Sequence, residues 1–130
     1  MGSRQRIEVN GVLPFEISGE VQAADTHAPV PDAQVAVVRK QRASNRDILS
    51  STTTTSTGRF RFPCGLVASG TAAGRTNKTG DPPITWKAET WLRVRAKGYE
   101  GALKELKFEG TYETGETIKR EFGVIEMERK

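Results

Sequence analysis

Hydrophobic and polar residues alternate in several short runs along this chain. In the clearest run, residues 58–62, Phe60 and Phe62 alternate with Arg59 and Arg61. A period of two is typical of a β-strand with one face in a core and the other in water. Two further runs place valine and leucine on the inner faces of their strands in the same way. The predicted core residues are Phe60, Phe62, Val35, Val37, Leu92 and Val94.

The alternation predicts strands over residues 15–21, 33–39, 50–62, 85–96, 102–108 and 118–128. Turn-forming residues at 24–32, 97–101 and 110–115 separate several of them. Residues 40–47 are polar and basic, and they carry no helical pattern. Short strands, glycine-containing turns and the lack of an amphipathic helix predict an all-β antiparallel sandwich.

Residues 63–83 interrupt this pattern, because they are rich in Gly, Ser, Ala, Thr and Asn. A connection of that length is unusual in a compact domain and often carries function. We therefore predict a long loop at 63–83 that is mobile in the free protein and becomes ordered against a partner. The loop would belong to a single domain at 15–130, which an N-terminal extension at 1–14 precedes.

Four motifs in order resemble the carboxypeptidase-regulatory-like family. They are Gly19-x-Val21, Pro29-Val30-Pro31-Asp32-Ala33-x-Val35, Gly58-x-Phe60-x-Phe62 and Leu92-x-Val94-x-Ala96-x-Gly98-Tyr99. The resemblance covers residues 15–128 and implies a transthyretin-like, Greek-key sandwich of about seven strands. It also implies that Ile125 and Met127 of the last strand face the core. Residues 63–83 depart from the family, whose members pass through a short glycine turn there.

Composition and the two ends of the chain narrow the function classes. The net charge of +4 is small and not strongly clustered, so we do not expect a nucleic-acid partner. No apolar stretch approaches the roughly 20 residues of a membrane span. Residues 1–6 contain no apolar segment typical of a signal peptide. The expected location is the cytoplasm, or outside it as part of an exported assembly, unless residues 1–3 are a cloning remnant that replaced a leader.

The enzymes that resemble this fold require residues that the chain lacks. Hydroxyisourate hydrolases use several histidines and a C-terminal Tyr-Arg-Gly-Ser, and intradiol dioxygenases hold iron with two tyrosines and two histidines. The chain has Tyr99 and Tyr112 but a single histidine, His27. The single cysteine, Cys64, excludes an internal disulfide and has no base or orienting group beside it in the sequence. We predict no catalytic residue, no metal and no cofactor, and we do not expect a small-molecule ligand.

Arginines and tryptophans are the candidate binding residues. If the strands that carry them share a sheet, the arginines form a basic stripe suited to phosphate or to an acidic protein surface. The alternative is an ordinary solvated face with acidic neighbours such as Glu105 and Glu109. Exposed tryptophan is enriched in interfaces, although the long loop can also cover it. The candidate partner-binding residues are Trp86, Trp91, Arg59, Arg61, Arg93 and Arg95.

These features predict a non-enzymatic scaffold or protein-binding module whose partner is another protein or a neighbouring subunit. One such setting is an adaptor or structural subunit of a bacterial assembly, for example a contractile injection or type VI secretion spike. The alternative function is a carbohydrate-binding module or a small hydrolase on the same fold. A carbohydrate site would require Trp86, Trp91 and Tyr99 to converge on one exposed face.

Overall fold

The computed structural model describes residues 7–72, 84–113 and 115–130. Within these ranges there are seven strands, and a 3-10 helix, Asn45–Asp47, lies between the second and the third. The strands are β1 Ile7–Ala23, β2 Gln34–Val38, β3 Ile48–Thr53, β4 Arg59–Ala72, β5 Ile84–Arg95, β6 Ala102–Gly110 and β7 Ile118–Met127. The all-β sandwich of about seven strands that the sequence predicts is confirmed.

Strand β5 connects the two layers of the sandwich. One edge of β5 pairs with β6, while the other edge is divided between β4, along residues 84–87, and β2, along residues 91–95. Because β4 leaves β5 after four residue pairs, it forms a second layer with β1 and β7. The first layer consists of β3, β2, β5 and β6. All described pairings are antiparallel except that of β1 with β7, which is parallel.

The hydrophobic core lies between these layers and has the predicted composition. All six predicted core residues are buried, as are Ile125 and Met127 of β7. The ring of Phe15 in β1 meets the ring of Phe108 in β6 edge to face, with 5.7 Å between their centroids. This contact links the two layers directly, and its geometry is one that aromatic pairs prefer.

The prediction of one strand over residues 50–62 is wrong, because a turn at 54–58 divides that run into β3 and β4. Gly58 adopts φ +75° in this turn, and a Cβ added there would lie 2.5 Å from the Val21 carbonyl oxygen. Only glycine fits such a position without strain. The two strands then enter different layers, β3 beside β2 and β4 beside β1.

The predicted loop at 63–83 is also wrong over its first part, because β4 continues to Ala72. It pairs there with residues 7–16 of β1, so residues 7–14 belong to the sheet and not to an extension. Two glycines of this strand pair lie against the Trp86 ring. A Cβ added at Gly70 or Gly11 would lie 2.9 Å or 3.0 Å from it. The remainder of the predicted loop, 73–83, and residues 1–6 lie outside the described residues.

Strand β7 carries a bulge opposite Gly19. Ser18 pairs with Glu121 but Glu20 pairs with Val124, so β7 has one more residue than β1 across this step. The extra residue is accommodated at Gly123, where φ is +67°. Bulges of this kind bend a strand and increase its local twist.

Replacing Gly19 by alanine should lower the free energy of unfolding by about 1–3 kcal/mol, which is the usual effect of overfilling a packed core. The added Cβ would lie 2.7 Å from the Phe60 ring and 3.0 Å from the Gly123 carbonyl oxygen. Urea denaturation of the variant measures the loss. Gly101→Ala is the control, because the nearest described atom to its added Cβ is 3.8 Å away. Equal stability of the two variants would contradict the close contact at Gly19.

Candidate functional site

Arg59 and Arg61 lie on the exposed face of β4 and are paired with acidic residues of β1. Arg59 Nε lies 3.0 Å from Glu20 Oε1, and Arg61 Nη2 lies 2.7 Å from Glu16 Oε1. Both arginines remain largely exposed to solvent. Of the two interpretations of this face, the solvated one with acidic neighbours describes it, although the neighbours come from β1.

The predicted basic stripe is not formed. Strands β4 and β5 pair only between Ser69–Ala72 and residues 84–87, far along β4 from Arg59 and Arg61. Arg93 and Arg95 lie instead beside β2, in the other layer. The structure therefore separates the two arginine pairs that the predicted stripe would have combined.

Arg93 also departs from the prediction, because its side chain is buried and not exposed. Only 6% of Arg93 is accessible, and its Nη1 donates a hydrogen bond to the Ala43 carbonyl oxygen at 3.0 Å. Burial, followed by repulsion from Arg95, lowers the pKa of the Arg93 guanidinium. Residues 39–47 thus cover the outer face of β2 and β5. The signal was present in β2, whose unbroken apolar run 35–38 is typical of a strand buried on both faces.

Residues 39–47 form a loop that is closed by its own hydrogen bonds. The Arg39 N–H donates to the Asp47 carbonyl oxygen at 3.0 Å, and the Ser44 N–H donates to Asp47 Oδ2 at 2.8 Å. The backbone hydrogen bond from Ser44 lowers the pKa of the Asp47 carboxyl group. We call residues 39–47 the cover loop. Four of its residues are basic: Arg39, Lys40, Arg42 and Arg46.

The two tryptophans of β5 lie on opposite faces of the strand. Trp86 packs against the core, whereas Trp91 lies on the outer face with Arg93, and its Nε1 is buried. Tyr99 lies in the turn after β5, with the Arg129 guanidinium 5.4 Å from its ring centroid. These three rings therefore do not share the exposed face that a carbohydrate site would require.

His27 and Cys64 occupy unrelated environments. His27 is exposed, and its Nδ1 lies 3.5 Å from Glu126 Oε1. Cys64 is buried, and burial raises its pKa to about 11, so the thiol stays protonated at neutral pH. In the ranges that the structure covers, no cluster of three or more His, Cys, Asp or Glu residues is placed to hold a metal ion. Tyr99 and Tyr112 lie at opposite ends of β6.

Part of β1 has no neighbouring strand on one side among the described residues. Strand β7 pairs with β1 only from Phe15 onward. The Val21 N–H points to the β4 side, where it donates to the carbonyl oxygen of Gly58, just before β4. The N–H of Ala24, just after β1, points to the opposite side, where it donates to the Met127 carbonyl oxygen of β7. Because alternate residues of a strand direct their backbone groups to opposite edges, the even-numbered residues 8, 10 and 12 face away from β4. We call this edge of residues 7–14 the open edge of β1.

Exposed apolar side chains lie beside the open edge. Val12 and Val67 are cross-strand partners, and 64% and 65% of them is exposed. Pro14 and Gly65 form the next pair, and within the part of the chain that the structure describes the ion pairs of the other half have no counterpart here. Exposed apolar residues next to an unpaired strand edge are typical of a surface that binds another chain. This surface was not predicted, because residues 1–14 and 63–72 were assigned to an extension and a loop.

A groove of about 700 Å³ lies at the opposite end of this face, beside the β7 bulge. Its charged wall contains the paired Arg59 and Glu20. The lining residues are Ser18, Gly19, Glu20, Thr52, Thr53, Thr55, Arg59, Phe60, Arg61, Glu121, Gly123 and Val124.

Among the described residues, no helix is long and apolar enough to cross a membrane.

Comparison with known proteins identifies relatives in fold only. No family model matches the chain, and no curated protein matches it. The 3-chlorocatechol 1,2-dioxygenase of Rhodococcus opacus 1CP superposes with a TM-score of 0.56 at 14% sequence identity. The superposition covers 92% of this chain and 62% of the dioxygenase chain. The hydroxyquinol 1,2-dioxygenase of Pseudomonas putida DLL-E4 superposes with a TM-score of 0.50 at 12% sequence identity. This superposition covers 92% of this chain and 58% of the dioxygenase chain. The chain thus spans about three fifths of these dioxygenases and shares their β-sandwich fold.

Proposed function

We propose that this chain is a non-enzymatic β-sandwich module that binds another protein through the open edge of β1. The observation that supports this proposal is the row of backbone groups at residues 8, 10 and 12 that have no partner strand among the described residues, beside the exposed Val12 and Val67. A strand from a partner would gain main-chain hydrogen bonds along such an edge, and the valines would add apolar contact. A neighbouring subunit of a larger assembly is one such partner.

Pro14 limits the length of the added strand. Proline has no N–H, and residue 14 faces the same edge as residues 8, 10 and 12. Beyond it, β7 occupies the edge from Phe15 onward. The partner strand therefore pairs with residues 7–13, a short interface whose affinity depends strongly on the apolar contacts at Val12 and Val67.

Site-specific photocrosslinking in the native cell tests this proposal. A benzophenone side chain placed at position 12 or 67 should give one crosslinked protein of defined mass. The control position is 124 on β7, where a valine is 51% exposed but lies away from the open edge. Asn10→Pro should abolish the crosslinks, because it removes an outward N–H that pairs with no described residue.

Equal crosslinking from positions 12 and 124 would contradict the proposal, as would no crosslink from positions 12 and 67. Crosslinks from position 12 to residues 1–6 or 73–83 of the same chain would also contradict it, since the edge would then be covered internally. Circular dichroism of Asn10→Pro establishes that the sandwich is retained, so that the loss of a crosslink reports on the edge.

A further inference from the structure

The outer face of β2 and β5 contains a second buried cluster, separate from the core between the layers. Ala36 and Val38 of β2 are fully buried although they point away from that core. In the sheet register, Ala36 is the partner of Arg93 and Val38 is the partner of Trp91. The cover loop lies over this cluster and is tied to it by the Arg93–Ala43 hydrogen bond.

Three donors in this cluster have no acceptor among the described residues. They are Trp91 Nε1, Arg93 Nε and Arg93 Nη2, and all three are buried. No described carboxylate lies within salt-bridge distance of Arg93. Burying a cation without a counter-charge is strongly unfavourable. Burial, followed by repulsion from Arg95, lowers the pKa of the Arg93 guanidinium.

The identity of the unpaired atoms indicates the shape of the missing group. Nη1 is occupied by Ala43, while Nε and Nη2 lie along one edge of the planar guanidinium and donate in the same direction. A carboxylate accepts two parallel hydrogen bonds from such an edge. Trp91, two residues earlier on the same face, supplies a third donor. The apolar neighbours Ala36 and Val38 favour a singly charged planar group over a phosphate, because the second charge makes burial costlier.

We propose that Arg93 and Trp91 form a recessed binding site for a carboxylate side chain of an acidic protein segment. The four basic residues of the cover loop, together with Arg95, attract such a segment. Glu89 and Glu105 lie on the same face of β5 and β6, and each is paired with Lys107. The cover loop is closed by its own hydrogen bonds, so it moves as a unit to admit the carboxylate to Nε and Nη2, while Nη1 keeps its hydrogen bond to Ala43. This site is in the other layer from the open edge of β1, and the two proposals stand or fall separately.

Fluorescence of Trp91 provides the test. In the full chain carrying Trp86→Phe, Trp91 is the only tryptophan. Titration with a hexaglutamate peptide at fixed ionic strength should change its emission with a saturable curve. Arg93→Gln should weaken the apparent affinity about tenfold or more, the loss expected for a charge-assisted bidentate contact. Arg95→Gln is the matched control, because it removes an exposed charge from the same face. It should weaken the affinity for hexaglutamate less than about threefold.

Trp91→Phe is a second variant, and calorimetry measures its binding of hexaglutamate. The substitution keeps an aromatic ring but removes the third donor, so it should weaken binding, and this test does not depend on the folding of Arg93→Gln. Three results would overturn the proposal. The first is no saturable response, and the second is equal weakening by Arg93→Gln and Arg95→Gln, which indicates general charge attraction. The third is tighter binding of inorganic phosphate than of hexaglutamate, which assigns the site to a phosphate.

Discussion

Replacing Phe62 by alanine is expected to lower the free energy of unfolding by about 3–5 kcal/mol. Phe62 is 5% exposed, and its ring centroid lies 6.3 Å from that of Phe60 within the core. The substitution removes the apolar surface that the ring buries and leaves a cavity that the strands around it fill only in part. Since small domains are stable by about 5–15 kcal/mol, the loss takes a large fraction of the total.

Urea denaturation followed by circular dichroism measures this effect, and Arg61→Ala is the control. Arg61 is the preceding residue of β4, is exposed and forms a surface ion pair with Glu16. Its removal should change stability by less than about 1 kcal/mol. If both variants unfolded at the same urea concentration, the Phe62 side chain would not be packed in the core.

Replacing Thr54 by valine is expected to lower the free energy of unfolding by about 2–4 kcal/mol, although the two side chains have nearly the same shape. Thr54 is 3% exposed, and its hydroxyl donates to the Val30 carbonyl oxygen at 2.7 Å. The Ala33 N–H donates to the same hydroxyl at 2.9 Å. Valine leaves both backbone groups buried and unpaired, and each such group costs about 1–3 kcal/mol. The loop between β1 and β2 keeps two backbone hydrogen bonds to the end of β3, from the Asp32 N–H to the Thr54 carbonyl oxygen and from the Thr54 N–H to the Ala33 carbonyl oxygen, but it loses both bonds to the hydroxyl.

Thr53→Val is the matched control for this change, because Thr53 is the neighbouring threonine and is exposed on β3. It should alter stability by no more than about 0.5 kcal/mol. Thermal or urea unfolding of the two variants side by side gives the difference. A similar stability for both would mean that the Thr54 hydroxyl does not hold the loop.

Local alternation was sufficient to predict the inner faces of β2, β4 and β5. Phe60, Val35 and Leu92 are buried where the period of two places them. Alternation is sufficient here because one face of each strand contacts the same core. The pattern along a single strand therefore shows which of its side chains are buried in the folded protein. The strand ends in β5, β6 and β7 were also predicted to within two residues.

The second half of β4 could not be predicted, because its glycines resemble a turn. Glycine normally weakens a strand, and runs of small residues favour loops. Gly70 is small because the Trp86 ring lies against it, and that contact joins residues of two different strands. Once residues 63–72 had been assigned to a loop, the pairing of β1 before Phe15 and the exposed face at Val12 were hidden as well.

The burial of Arg93 illustrates a second limit. Arg93 alternates with the inward-facing Leu92 and Val94, so the period of two predicts that its side chain is exposed. The same prediction is correct for Arg95. Arg93 is buried because the cover loop, which precedes β5 by some 40 residues in the chain, folds over this face. Burial of an outward-facing side chain by a remote segment depends on tertiary contacts, which a periodic pattern along one strand does not contain.

The parallel pairing of β1 with β7 also has a consequence for how the chain folds. It joins Phe15 to Ile118 and Ala23 to Met127, which are separated by most of the polypeptide. Contacts of such long sequence separation give a high contact order and slow folding, because a large loop must close before the pair contributes. During synthesis, β1 leaves the ribosome long before β7, so the whole edge of β1 opposite β4 stays unpaired in the nascent protein. Association with other chains is therefore a hazard until the last strand is in place.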